Sequence, residues 1–121
     1  MQTDNDIKKG RALVVDDVPY AAHIDRVYCE NLGYTVDLAD SAEKAMVLFE
    51  PGKYQLIILD IALCDKNWLE VFRFIRTEDK KVIIVVTGAY DYVSQLAMQS
   101  GANAYLEKPF SLEKLKQALG R

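Results

Sequence analysis

Residues Leu56 to Glu70 read LIILDIALCDKNWLE. Four apolar residues run without interruption into Asp60, and a polar loop follows. A continuous Leu/Ile run of this length, rather than an alternation, is the pattern of a strand covered on both faces, as in a parallel sheet. An ionised carboxylate at the edge of such a strand is costly unless hydrogen bonds, a cation or solvent compensate it. Something must therefore sit opposite Asp60.

The same pattern recurs on either side of this stretch. Ala12 to Val15 and Val82 to Val86 are further continuous apolar runs, with weaker ones at Tyr34 to Leu38 and Asn103 to Leu106. Between them the periodicity turns helical. The spacing predicts helices over Tyr20 to Asn31 with Gly33 beyond, Ser41 to Phe49 stopped by Pro51-Gly52, and Trp68 to Arg76. Two more are expected over Tyr92 to Gln99, with Gly101 past its end, and over Leu112 to Leu119. Ser41 and Ser111 are N-cap residues, although Lys44 stands where a full capping box would have Glu or Gln. Strand then helix, five times over, gives an α/β fold: a doubly wound, five-stranded parallel sheet flanked by five helices. One domain is expected over residues 1–121, with its core within 11–119, and no linker, repeat or low-complexity segment interrupts it.

Composition narrows the function classes. Of 121 residues, half are apolar and 27% charged, the mix of an ordinary globular domain, long enough to bury a core without disulfides. The net charge of -3 argues against a nucleic-acid surface, which shows itself as a basic patch. Cys29 and Cys64 form neither a disulfide framework nor, with the single His23, a metal-ligand cluster; reduced cytoplasmic thiols are expected. No apolar run approaches membrane-spanning length, so a cytoplasmic protein without membrane contact is expected.

Open α/β sheets carry their sites in the crevice at the carboxyl ends of the strands. Just past the apolar runs stand Asp16 and Asp17, then Asp60, then Thr87 and Gly88, then Lys108 and Pro109. Carboxylates brought together repel one another unless a cation intervenes. Oxygen ligands alone, without His or Cys, suit a hard divalent cation such as Mg²⁺, or Mn²⁺ in its place. The expected neighbours of Asp60 are therefore a metal shared with Asp16 and Asp17, and the Lys108 ammonium. A carboxylate can also attack a phosphoryl group, giving an aspartyl phosphate, and phosphoryl transfer asks mainly for positioning and charge neutralisation. Thr87 and Lys108 supply those, and Gly88 is expected to leave room for phosphate oxygens.

With LVVDDVP, LIILDIAL, VIIVVTGA and GANAYLEKPFSLEKL in this order and spacing, the chain from Ala12 to Leu119 resembles the receiver domain of two-component response regulators. No single piece is specific; the ordered set is. The resemblance implies a flavodoxin-like fold with strand order 2-1-3-4-5. It implies that Asp60 accepts a phosphoryl group from a histidine kinase or histidine phosphotransfer protein. Asp17 would then bind Mg²⁺ directly, Asp16 largely through water, and the backbone carbonyl of Ala62 would complete the protein ligands. Lys108 would contact phosphoryl oxygens, and the Lys108-Pro109 bond would be cis. Thr87 and Tyr105 match the family's switch pair, which alters the surface made by Tyr90 to Gly101, Asn103 to Leu106 and Ser111 to Leu119. Autodephosphorylation would be self-catalysed, as in a signalling domain rather than an enzyme.

Taken one at a time, these residues have plainer readings. Asp16-Asp17 can be a helix N-cap, Asp60 a loop cap, Lys108 an exposed lysine, Thr87 a strand-end residue and Tyr105 a packed aromatic; their shared place at strand ends carries the site reading. Family members usually have Pro at the position of Cys64 and Gly at that of Trp68, so the loop from Ile61 to Trp68 departs from the pattern; Trp68 is expected to pack and Cys64 to be inert. Neither Ala62 nor Ala89 offers a polar side chain to guide an attacking water. A haloacid-dehalogenase phosphatase would want Asp at Ala62, and a nucleotide or flavin binder a Gly-rich loop where Asp-Asp-Val-Pro stands. The remaining rival is a phosphorylation-independent docking module. The chain reads as a stand-alone receiver or one cut from a longer protein. A homodimer through the fourth helix, fifth strand and fifth helix, with Tyr90, Tyr92 and Leu96 in an apolar patch, is a further expectation, together with a downstream protein target or effector domain.

Overall fold

The structure, a computed structural model, describes residues 10–120; residues 1–9 and 121, parts of the expected domain span, lie outside the described residues. Five strands alternate with five helices: β1 Gly10–Val15, α1 Pro19–Asn31, β2 Tyr34–Ala39, α2 Ala42–Leu48, β3 Leu56–Asp60, α3 Trp68–Glu78, β4 Ile83–Gly88, α4 Ser94–Ser100, β5 Ala104–Glu107 and α5 Leu112–Ala118. They form one sheet in the order β2-β1-β3-β4-β5, with every pairing parallel. The chain reverses its direction of winding after β2, so a crevice opens between β1 and β3 at their carboxyl ends.

The uninterrupted apolar runs are explained by two cores, one on each face. On one side Leu13, Val15, Ile57, Leu59, Ile84 and Val86 pack with Ala42 and Ala45 of α2, Trp68, Val71, Phe72 and Ile75 of α3 and Ala97 of α4. On the other, Ala12, Val14, Leu56, Ile58 and Val85 pack with Ala22 and Cys29 of α1 and Leu115 of α5. Residues of even and odd parity along the central strands β1, β3 and β4 thus serve opposite layers, and their apolar runs leave no polar face.

Local chemistry sets the helix ends. Pro19 opens α1, where its missing N–H costs nothing. Ser41 Oγ accepts from the Lys44 N–H at 3.0 Å, and a second, distant carboxylate completes the start of α2: Asp65 accepts from the Ala42 and Glu43 N–H groups, each at 3.0 Å. Gly101, at φ 110°, closes α4 in the left-handed conformation that a side chain disfavours. The expected single helix from Tyr92 to Gln99 is instead a 3₁₀ turn, Asp91–Val93, followed by α4 from Ser94 to Ser100. Neither start has a side-chain cap, and a 3₁₀ turn is a common way to satisfy backbone groups there. In α3 the helix runs two residues past the expected end and stops at Asp79, whose carboxylate accepts from the Gly52, Lys81 and Val82 N–H groups. Among the described residues no helix is long and apolar enough to cross a membrane.

Arg76 locks the amino-terminal edge of this arrangement. Its Nη1 donates to the Val82 carbonyl at 2.7 Å and Nη2 to the Gly101 carbonyl at 3.0 Å and Asn103 Oδ1 at 2.9 Å. Asn103 Oδ1 also accepts from the Ile84 N–H at 2.8 Å, so one guanidinium joins α3, β4 and the α4–β5 connection. Hydrogen bonds to a charged donor are worth about 1.5–3 kcal/mol. Replacing Arg76 with Met is expected to lower stability by about 2–3 kcal/mol with an unchanged urea m-value, read from equilibrium unfolding.

Candidate functional site

The convergence at the sheet edge follows from the pleat. Ala12 and Val14, Leu56 and Ile58, Ile83 and Val85, Ala104 and Leu106 all serve the layer covered by α1 and α5. Two residues further along each strand stand Asp16, Asp60, Thr87 and Lys108. Asp60 lies beside Thr87 in the β3–β4 register, and Val15 beside Leu59 in the β1–β3 register, which puts Asp16 next to Asp60. Asp16, Asp60 and Thr87 therefore form the last rung of one face of the sheet, and Lys108 follows two residues past Leu106, the β5 partner of Thr87.

Asp16, Asp60 and Thr87 are buried, at 1%, 3% and 0% exposure. Lys108 Nζ donates to Asp16 Oδ2 at 2.7 Å and lies 3.2 Å from Asp60 Oδ2. The other oxygen of Asp16 accepts from the Val18 N–H at 2.9 Å, and Asp60 Oδ1 accepts from the Ala62 N–H at 3.3 Å. Asp17, half-buried, accepts at Oδ2 from the Cys64 N–H at 3.2 Å. Asp16, Asp17 and Asp60 each offer an oxygen, and these oxygens lie within 4.8 Å of one another. Three hard oxygen donors at that spacing fit a small divalent cation. The Thr87 hydroxyl is buried with no hydrogen-bond partner. Backbone bonds tie the rung together: the Ile61 N–H donates to the Thr87 carbonyl at 2.9 Å and the Lys108 N–H to the Gly88 carbonyl at 2.7 Å. The Lys108-Pro109 bond is cis.

Electrostatics reflect two buried carboxylates around one ammonium. Burial pushes the Asp60 carboxyl above the ordinary carboxylate range, with Asp16 adding to the rise against the opposing pull of Lys108. Burial alone would lower Lys108, but its hydrogen bond to Asp16 and the charges of Asp60 and Asp16 hold it above the usual lysine value, so it stays protonated.

The remaining expected residues fall as follows. Tyr105 lies on β5 with its hydroxyl donating to the Tyr90 carbonyl at 2.6 Å. At Gly88 a Cβ would collide with the Ile61 side chain and meet the Tyr105 hydroxyl at 2.7 Å. Trp68 is 7% exposed, packed edge-on against Phe72 at 6.2 Å, as the packing reading expects. Cys64 is exposed, and its hydrogen bond to Asp17 pushes the thiol up, away from a reactive thiolate. His23 is exposed on α1. Ala62 sits on the exposed loop beside Asp60.

Sequence reading missed Asp25. It is 5% exposed on α1, and burial pushes its carboxyl up to about 7, against the pull of Lys108. The signal was present: the buried residues of α1 are Ala22, Asp25 and Cys29, and spacings of three and four mark one helix face. Asp65, the long-range cap of α2, was missed for want of any local pattern.

The family model for the response regulator receiver domain matches residues 12–120. The chain belongs to that family. Relatives include the alginate biosynthesis transcriptional regulatory protein AlgB of Pseudomonas aeruginosa, 34% identical over all of this chain and 27% of AlgB. Another is the aerobic respiration control sensor protein ArcB of Escherichia coli, 31% identical over 85% of this chain and 14% of ArcB. The receiver thus spans about a quarter or less of these two relatives. Among solved structures, the response regulator protein TrrA of Thermotoga maritima in complex with Mg²⁺-BeF superposes with a TM-score of 0.82 at 32% identity, covering 92% of this chain and 96% of TrrA. The expected strand order and five-fold alternation of strand and helix are those of this family's fold.

The receiver's buried Asp25 makes a stability prediction. Its folded-state pKa of about 7 exceeds the ordinary 3.8, so the folded protein binds the extra proton and loses stability as pH rises from about 4 through about 7. Asp25→Leu is expected to match the wild type near pH 4 and exceed it by about 2–4 kcal/mol at about pH 8 in urea unfolding.

Proposed function

We propose that the receiver is a Mg²⁺-dependent phosphoacceptor in which Asp60 takes a phosphoryl group from a histidine kinase or histidine phosphotransfer protein. The observation that carries this reading is the Lys108 ammonium held 2.7 Å from Asp16 and 3.2 Å from Asp60, beside a third acid and an unpartnered buried hydroxyl. A carboxylate so placed lies at the carboxyl end of the sheet and is backed by fixed positive charge.

In the transfer, an Asp60 carboxylate oxygen forms a bond to phosphorus as the bond from phosphorus to the donor nitrogen breaks, and the donor imidazole leaves with the electron pair. Lys108 and the Thr87 hydroxyl receive the phosphoryl oxygens, the first as a charge and the second as a hydrogen-bond donor. Asp16, Asp17, Asp60 and the Ala62 backbone carbonyl would hold the cation, which neutralises phosphoryl charge when bound. Drawing Thr87 toward the new group frees Tyr105 to leave the Tyr90 carbonyl and turn inward, which changes the surface of α4, β5 and α5. Tyr90, Tyr92 and Leu96 are exposed there and make it the face for a homodimer or a downstream target. The resemblance to AlgB and ArcB supports an output through a larger protein, either a transcriptional regulator or a sensor.

The test is intact-protein mass after incubation with Mg²⁺ and acetyl phosphate, alongside Asp60→Asn. A single phosphoryl adduct, absent in the variant and absent without Mg²⁺, is the expected result. A folded protein that binds Mg²⁺ and forms no adduct would be a phosphorylation-independent docking module instead. With the adduct in hand, Ala62→Asn is expected to shorten its lifetime about 10-fold, since a positioned amide guides the attacking water that alanine leaves unguided; decay of the adduct mass after removal of acetyl phosphate measures it.

A further inference from the structure

Helix α1 lays Ala22, Asp25 and Cys29 against the sheet, so a carboxyl occupies the middle of an otherwise apolar stripe. Asp25 Oδ2 is buried without a hydrogen-bond partner. An orphaned buried carboxylate is expensive. The face of the sheet beneath it is the one whose carboxyl end carries Asp16, Asp60, Thr87 and, just past β5, Lys108. Asp25 and Lys108 line one pocket of about 350 Å³, together with Tyr20, Ile24, Tyr28 and Phe110. An ammonium has three N–H donors, and Lys108 directs two of them to Asp16 and Asp60.

We infer that Asp25 is a positioning residue that acts through Lys108: ionised, it competes with Asp60 for the ammonium, and neutral, it leaves the ammonium to Asp60 and to the phosphoryl group carried there. The inference rests on the phosphoacceptor reading of Asp60. A phosphoryl group brings about -1.5 to -2 charge in place of the single charge of the carboxylate, so its arrival favours the neutral form of Asp25. Phosphorylation therefore draws a proton from solvent onto Asp25, and by reciprocity a proton on Asp25 favours phosphorylation.

The charged groups acting on Asp25 come from three elements: Lys108 from the β5–α5 connection, Asp16 from β1 and Asp60 from β3. On its own helix the Cys29 thiol, itself pushed up by burial and by Asp25 to about 12, stays neutral. The Tyr28 hydroxyl is committed to the Phe110 carbonyl at 3.2 Å, and α5 presents Leu115 to this layer. The balance at Asp25 thus lies between one ammonium and two carboxylates, and Asp60 is the one whose charge phosphorylation changes.

The experiment compares the full chain and Asp25→Asn in Mg²⁺ and acetyl phosphate, with the initial phosphorylation rate read by intact mass from about pH 6 to about pH 8.5. Acetyl phosphate and the shared metal ligands titrate alike in both, so the ratio of the rates isolates Asp25. Because the Lys108 ammonium also neutralises charge that develops on the phosphoryl group during transfer, the wild-type to Asp25→Asn ratio is expected to fall ~3-fold or more as pH rises through neutrality; parallel profiles would overturn the inference and leave the phosphoacceptor reading intact. A carbon-13 carboxyl NMR titration of the wild type and Lys108→Met serves even where Asp25→Asn fails to fold. Loss of the ammonium is expected to move the Asp25 midpoint upward from about 7, and an unmoved midpoint refutes the coupling. No adduct in either protein removes the phosphoacceptor reading and the positioning role with it.

Discussion

The structure is organised around one ammonium group. Lys108 reaches across 92 residues of sequence to Asp16 and at the same time stands beside Asp60, so the first strand, the third strand and the connection after the fifth strand meet at a single charge. Buried ion pairs are a weak source of stability because desolvation offsets much of the attraction. Folding free energy comes instead from the two apolar layers, and the charged rung is held at the edge of those layers. What Lys108 secures is geometry: it keeps two mutually repelling carboxylates side by side at the mouth of the crevice.

Everything near the site serves that placement. The pleat of a parallel sheet carries the acids, the hydroxyl and the amine to the same end of the same face, because each lies two residues past the last apolar member of its series. The β3–α3 loop is pinned at two points, by the Cys64 N–H on Asp17 and by Asp65 on the first turn of α2. Trp68, at the end of that loop, is packed in the core rather than offered to solvent. A loop whose sequence departs from the family pattern thereby still delivers Asp60 and the Ala62 backbone to the crevice. Asp25 adds a fourth acid from below, in a layer where burial makes its charge costly.

Much of this was legible in the residues. The apolar runs mark buried parallel strands because only a strand covered on both faces dispenses with polar alternation, and the strand-edge rule then names Asp16, Asp17, Asp60, Thr87 and Lys108. The plain packing reading of Trp68 holds for the same reason, an aromatic side chain at the start of an amphipathic helix. Less legible were the 3₁₀ turn over Asp91–Val93, where the caps that would have opened an α-helix are missing, and the role of Gly88. That glycine is required by Ile61 of the β3–α3 loop and Tyr105 of β5, neighbours distant in sequence that leave no trace in local pattern.

The order of short apolar runs and amphipathic segments determined the class of fold, the chain positions of the site and the family, because hydrophobic periodicity and strand-end chemistry are properties of local sequence. Tertiary structure alone decided which charges meet. The division of Lys108 between Asp16 and Asp60, the capping of α2 by Asp65 and the burial of Asp25 under the site each depend on side chains distant in sequence. Coulombic and desolvation energies vary with distance and burial, quantities that only the folded chain defines.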